Sequence, residues 1–185
     1  MARPSPLEPR KPDALPAPYL LFLGDTTEPG YAKTAFGLRD WAPERCLGEF
    51  HCDGATVSAG LPHLTPQQAQ QAGARALVIG VANAGGVIPD EWIDALVEAM
   101  RAGLDIVSGM HTRLAEIPRL RDAAASHGRR LFDVRQPPAG IRVGSGRRRS
   151  GKRLLTVGTD CALGKKYTAL SLARAFRERG LDADF

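Results

Sequence analysis

Leu154-Leu155-Thr156-Val157-Gly158-Thr159-Asp160-Cys161-Ala162-Leu163-Gly164-Lys165-Lys166 carries an apolar run into a glycine and on to a Gly-Lys pair at the head of a helical pattern. A glycine loop between a strand and a helix is the context of a phosphate-binding loop of the G-x-x-x-x-G-K class. The glycines let the backbone curl so that successive N–H groups face an anion. The helix adds the positive end of its dipole, and Lys165 adds a formal charge. Gly158, Thr159, Asp160, Cys161, Ala162, Leu163, Gly164, Lys165 and Lys166 are therefore the expected cofactor-binding residues.

The helix has its own signature. Leu163, Tyr167, Leu170, Ala173 and Phe176 recur at three- and four-residue spacing, Arg174, Arg177, Glu178 and Arg179 lie between them, and Gly180 is the stop. One position departs from the usual loop. The residue after the lysine is ordinarily Ser or Thr, whose hydroxyl holds magnesium. Here it is Lys166, with Thr168 two residues on. A charged lysine cannot ligate a metal, so no metal site is expected. A phosphate-bearing cofactor that needs none, such as coenzyme A, is favoured over ATP with magnesium.

Working back from the loop, residues 136–152 lose all periodicity. Gln136-Pro137-Pro138-Ala139-Gly140 and Gly144-Ser145-Gly146 precede Arg147, Arg148, Arg149, Lys152 and Arg153, so this stretch is expected to be a basic linker between domains. The five cations equal the whole formal excess of +5. The charge is thus a patch, and without interleaved aromatics it does not predict nucleic-acid binding. Farther back, helices and apolar strands alternate. Strands are expected at 19–23, 45–50, 76–81, 104–107 and 131–134. Helices are expected at 32–38, at 65–72 with Thr65 as N-cap, at 89–102 behind Pro89, and at 113–126 before Gly128. Apolar strands that do not alternate point to a parallel sheet covered on both faces. The fold class is α/β: a Rossmann-like or flavodoxin-like domain over 19–135, then the first βα unit of a P-loop domain over 153–185. Residues 1–18 carry six prolines among charges and are expected to form a disordered tail. A P-loop domain ordinarily needs about five strands, so the chain is expected to be a fragment, with Ala183-Asp184-Phe185 opening the next strand.

Ligands of such sheets sit at the carboxyl ends of the strands. Gly24-Asp25-Thr26-Thr27, Asn83-Ala84-Gly85-Gly86 and Ser108-Gly109-Met110-His111 follow three of them. Asn83, Gly85, Gly86 and Ser108 are the expected substrate-binding residues. His111 is the expected catalytic base, since imidazole titrates near neutral pH. No G-x-G-x-x-G follows the first strand, so NAD has no support. The longest apolar run is far below the ~18 residues of a membrane span. Three cysteines, Cys46, Cys52 and Cys161, at no metal spacing suggest reduced thiols and a cytoplasmic protein. A small-molecule substrate and self-association into a homo-oligomer are expected, with neither nucleic acid nor membrane as partner.

Several stretches together resemble a known family. They are Leu21-Phe22-Leu23-Gly24-Asp25, Ala32-Lys33-Thr34-Ala35, Val78 to Asn83 with Gly85-Gly86-Val87-Ile88, Ser108 to His111 with Arg113-Leu114, Leu131 to Arg135, and Thr156 to Leu170. The chain is similar over 19–185 to a bacterial family, formerly of unknown function, with a Rossmann-like N-terminal half and a P-loop C-terminal half. The activity assigned to that family is D-glutamate N-acetylation from acetyl-CoA. The resemblance implies that Gly158 to Lys165 hold the pyrophosphate of acetyl-CoA. Family members generally carry Gly-Lys-Met here, so the missing Ser/Thr is shared and Lys166 is this chain's own departure. Gly158-Thr159-Asp160 with Gly164-Lys165 is also similar to the loop of dethiobiotin synthetase. That leaves an ATP-dependent ligase or kinase, or a non-catalytic nucleotide-binding module, as alternatives.

Overall fold

The computed structural model describes residues 15–136, 140–141, 143–148, 150–160 and 163–185. The chain divides into two compact units, Met1–Gly140 and Ile141–Phe185.

In the first unit, β1 (Tyr19–Gly24) is buried along its whole length, as expected of an apolar strand with sheet on both sides. It lies between β2 (Cys46–His51) and β3 (Ala76–Ile79), and β4 (Asp105–Ser108) and β5 (Leu131–Asp133) continue the sheet beyond β3. The order is β2-β1-β3-β4-β5 and every pair is parallel. Of the two architectures left open above, this is the flavodoxin-like winding, whose switch point falls between β1 and β3.

The helices follow local signals. α1 (Lys33–Trp41) packs Ala35 into the core. α2 (Pro66–Gln71) opens on a full capping box. The Thr65 hydroxyl accepts from Gln68 N at 3.2 Å, and the Gln68 side chain accepts from Thr65 N at 2.8 Å. The helix expected over 89–102 begins as a 3-10 turn, Asp90–Trp92, before α3 (Ile93–Arg101), which buries Ile93, Leu96, Ala99 and Met100. The helix expected over 113–126 is likewise divided. Pro118 cannot donate an amide, so a 3-10 turn (Leu114–Glu116) precedes α4 (Pro118–His127), which ends at left-handed Gly128.

Two expectations change. Residues 1–14 of the predicted tail lie outside the described residues, but the tail does not extend to 18. Leu15 and Ala17 pack on the core, and Pro18 O accepts from Arg75 N at 2.8 Å. Neither Leu154–Val157 nor Ala183–Phe185 forms a strand. A strand exists only through its ladder, and among the described residues no neighbour pairs with either segment. Leu155 and Val157 are accordingly 82% and 79% exposed. The helical half of that unit is present as α5 (Lys165–Glu178).

Candidate functional site

The loop before α5 spaces its glycines differently from the class expected for it. Five residues, Thr159 to Leu163, separate Gly158 from Gly164, one more than G-x-x-x-x-G-K. Cys161 and Ala162 lie outside the described residues. Gly164 is the N-cap of α5 at φ 84°, a left-handed geometry that glycine adopts without strain. No side chain caps this helix, and Thr168 N makes the first helical bond, to Gly164 O at 2.9 Å. The amides of residues 165–167 stand ahead of that bond at the head of the helix, the kind of position at which anions bind. Two hydroxyls tie the loop to the helix: Thr156 Oγ1 donates to Lys165 O at 2.9 Å and Thr168 Oγ1 to Gly164 O at 3.1 Å.

Lys165 crosses the loop. A Cβ on Gly158 would stand 3.2 Å from its Cδ, and its ammonium donates to the carbonyl of Asp160. Thr156, Val157, Gly158, Thr159, Leu163, Lys165 and Thr168 line an open, shallow hollow of about 440 Å³. Lys166, the second residue of α5, is exposed. Of the expected cofactor residues that are described, Gly158, Thr159, Leu163 and Lys165 line the hollow, Asp160, Gly164 and Lys166 do not, and the Asp160 carbonyl holds Lys165.

In the first unit the carboxyl edge of the sheet gathers the other expected residues. Asn83 and Val87 close a loop reciprocally: Val87 N donates to Asn83 Oδ1 at 3.0 Å, and Asn83 Nδ2 donates to Val87 O at 2.9 Å. Asn83 thus builds the turn that presents Gly85 and Gly86. Gly86 has φ 60°, and its carbonyl accepts from His111 N at 2.8 Å and Thr112 N at 3.1 Å. The His111 side chain lies so close that a Cβ on Gly86 would come within 2.3 Å of its Cδ2. His111 is exposed, as a base that meets substrate must be. Ser108 is fully buried, and its hydroxyl accepts from Met110 N at 3.1 Å, so it shapes the turn beneath His111.

Two acids at this edge went unselected in the sequence. Asp133, beside Ser108 in the β4–β5 register, accepts from Leu114 N at 3.2 Å. Burial raises its pKa, against the lowering effects of that N–H and of Arg113; Glu116 raises it further. Asp25, at the switch point, accepts from Trp92 Nε1 at 2.8 Å, while the indole packs edge-on against Phe22 at 5.4 Å. The available signal was an acid directly after an apolar strand, but only the strand order shows which strands meet at the crevice.

Cys46 and Cys52 are free thiols whose pKa values are raised, first by burial and then by neighbouring acids, Glu44 for the one and Asp25 and Asp53 for the other. Neither is poised as a nucleophile. Among the described residues no helix is long and apolar enough to cross a membrane.

Comparison with known proteins bears on both units. Residues 49–137 match a family model described as a domain of unknown function (DUF1611_N), Rossmann-like domain, and residues 141–185 match its counterpart (DUF1611_C), P-loop domain. Two curated relatives, from Pseudoalteromonas sp and Tritonibacter scottomollicae, are both named D-glutamate N-acetyltransferase. Each is 45% identical over 168 residues, which is 91% of this chain and 51% and 50% of theirs. The chain thus spans about half the length of the curated relatives it matches. A crystal structure of a DUF1611 family protein from Anabaena variabilis superposes with a TM-score of 0.72 at 33% identity, covering 88% of this chain and 50% of that one. Matched in both units, and sharing its backbone with a solved member, the chain belongs to the DUF1611 family.

Proposed function

We propose that the protein is an acetyl-CoA-dependent N-acetyltransferase acting on an acidic D-amino acid, D-glutamate being the substrate its relatives' names suggest. The observation that carries this reading is the 45% identity, over 91% of the chain, to two proteins named for that activity. The loop residues Gly158 to Lys165 bind the pyrophosphate, through the amides at the head of α5 and the Lys165 ammonium. The Lys165 ammonium donates to a carbonyl of its own loop, and a diphosphate would give it a stronger, charged acceptor.

At the carboxyl edge of the first unit, the Gly85-Gly86 turn offers close backbone approach to the amino acid. His111 takes the ammonium proton, with Asp133, which pairs with Ser108 at the same edge of the sheet, as the other candidate base. Acetyl-CoA supplies an acyl group already activated as a thioester. The free amine forms a bond to the acyl carbon, the carbon–sulfur bond breaks, and the thiolate of coenzyme A leaves with a proton. Orientation and donors to the developing oxyanion are the protein's contribution.

The test is chromatography of N-acetyl-D-glutamate formed from D-glutamate and acetyl-CoA, alongside calorimetric titration of acetyl-CoA and of ATP with magnesium. Product with acetyl-CoA binding is expected. Tight binding of ATP with magnesium and none of acetyl-CoA would move the protein to the ligase or kinase class. Lys165→Ala is expected to weaken acetyl-CoA binding by about 1–3 kcal/mol, the scale of a lost charge-assisted contact. An unchanged affinity would remove Lys165 from the site.

A further inference from the structure

The carboxylate at the switch point has no cation. Asp25 follows β1 directly and is exposed, and it pairs with no lysine, arginine or histidine among the described residues. A buried donor holds it instead. The Trp92 indole N–H donates to Asp25 Oδ1 at 2.8 Å, and Trp92 is 2% exposed. The indole is fixed in turn, edge-on to Phe22 at 5.4 Å. A Cβ on Gly24 would lie 2.4 Å from it, so the glycine at φ 56° is what leaves the ring its room. The turn that carries Asp25 is tied on both sides. Thr26 N donates to Leu23 O at 3.3 Å, and Thr26 O accepts from Thr56 N at 3.2 Å. A buried indole N–H needs an acceptor, but a neutral oxygen satisfies it. The negative charge is more than the indole requires, and Asp25 Oδ2 has no hydrogen-bond partner among the described residues.

We infer that Asp25 binds the ammonium of the amino-acid substrate, with Trp92 holding the carboxylate in position for it. The inference deepens the transferase reading and rests on it for the choice of amino acid. What it adds is the group recognised at the switch point, a primary ammonium. Ligands of doubly wound sheets bind where the strand order reverses, here between β1 and β3. The Gly85-Gly86 turn and His111 follow β3 and β4, the next strands along the same edge. An ammonium has three N–H donors. One bond to Asp25 leaves a proton for the base to take. The amine that results still donates to Asp25 while its lone pair forms the bond to the acyl carbon.

The experiment titrates the full chain with D-glutamate and with glutarate, the same dicarboxylate without the ammonium, and reads affinity by ligand-observed NMR. The wild type is expected to bind D-glutamate about tenfold more tightly than glutarate, the scale of one charge-assisted hydrogen bond. Asp25→Asn keeps an oxygen for the Trp92 N–H and removes the charge. It is expected to lose most of that preference while unfolding thermally close to the wild type. Asp25→Glu, which restores the charge, is expected to recover part of it. A wild type without the preference would overturn the inference, as would an Asp25→Asn protein that keeps it. Lost stability in Asp25→Asn with the preference intact would show that the acid serves the indole alone. Formation of N-acetyl-D-glutamate from acetyl-CoA without an ammonium preference would overturn the inference and leave the transferase reading standing. A preference that depends on Asp25, with no product from acetyl-CoA, would do the reverse. Failure of both probes to bind would overturn the inference.

Discussion

Gly86 shows how much of the carboxyl edge depends on a single backbone position. Its φ of 60° costs an L residue about 1–2 kcal/mol, and a Cβ there would also run into the ring and amide of His111, at 2.3 and 2.9 Å. Gly86→Ala is therefore expected to lose about 2–4 kcal/mol in urea unfolding. Gly85→Ala has φ 79° but only Val87 at 3.5 Å, so it should lose no more than the backbone term. Equal losses would mean that the Gly86–His111 contact is not tight. Asp133 carries a different signature. With its native pKa raised above the ordinary 3.8, the folded state binds this proton more readily than the unfolded state. Stability from this group is present below the ordinary pKa and is lost as pH rises through the raised one. Asp133→Asn still accepts from Leu114 N through its amide oxygen and no longer titrates. Thermal unfolding should show the variant gaining on the wild type as pH rises through that window. Parallel curves would refute the shift.

Among the elements, α2 is the one held most by its ends. It has six residues, too few to persist on propensity, and it buries only Pro66 and Ala69. Its capping box satisfies two orphan donors, so Thr65→Ala is expected to cost about 1 kcal/mol, read by urea denaturation. A neutral result would mean that packing alone holds the helix. α3 is the opposite case. Four of its nine residues are buried, and Trp92 just before it reaches β1 through Phe22 and Asp25. That contact links a helix following β3 to the strand at the switch point.

At the scale of the molecule, the two units differ in what holds them. The first has a continuous core running from Tyr19 to Ala124 across β1, β3 and β4, with Leu47 and Phe50 of β2 and Leu131 and Phe132 of β5 packed at its margin. In the second, Ala173 is the buried residue of α5, while Leu154, Leu155, Val157 and Leu163 are exposed by more than half. Opening free energy follows buried apolar contact. Hydrogen exchange on this chain should thus find the α5 amides exchanging well before those of β1, β3 and β4. Equal protection would show that α5 is held by contacts other than those described.

The sequence by itself determined the alternation of elements, because each signal is local: apolar runs for β1 and β3, Thr65 with Gln68 for α2, Gly128 after α4, and a glycine before Lys165 for α5. The glycine-flanked turn into α5 was legible for the same reason, since its glycines, lysine and helix are contiguous, although five residues rather than four separate the glycines. What only the tertiary structure decided are the pairings between distant segments. They set the flavodoxin-like order, brought Gly86 against His111, and placed Asp133 next to Ser108. Strand order, and with it the residues that share an edge, depends on which apolar faces cover one another, and no local pattern encodes that. The same physics left Leu154–Val157 without a ladder: the apolar pattern of a strand is local, but the hydrogen bonds that make one belong to its neighbour.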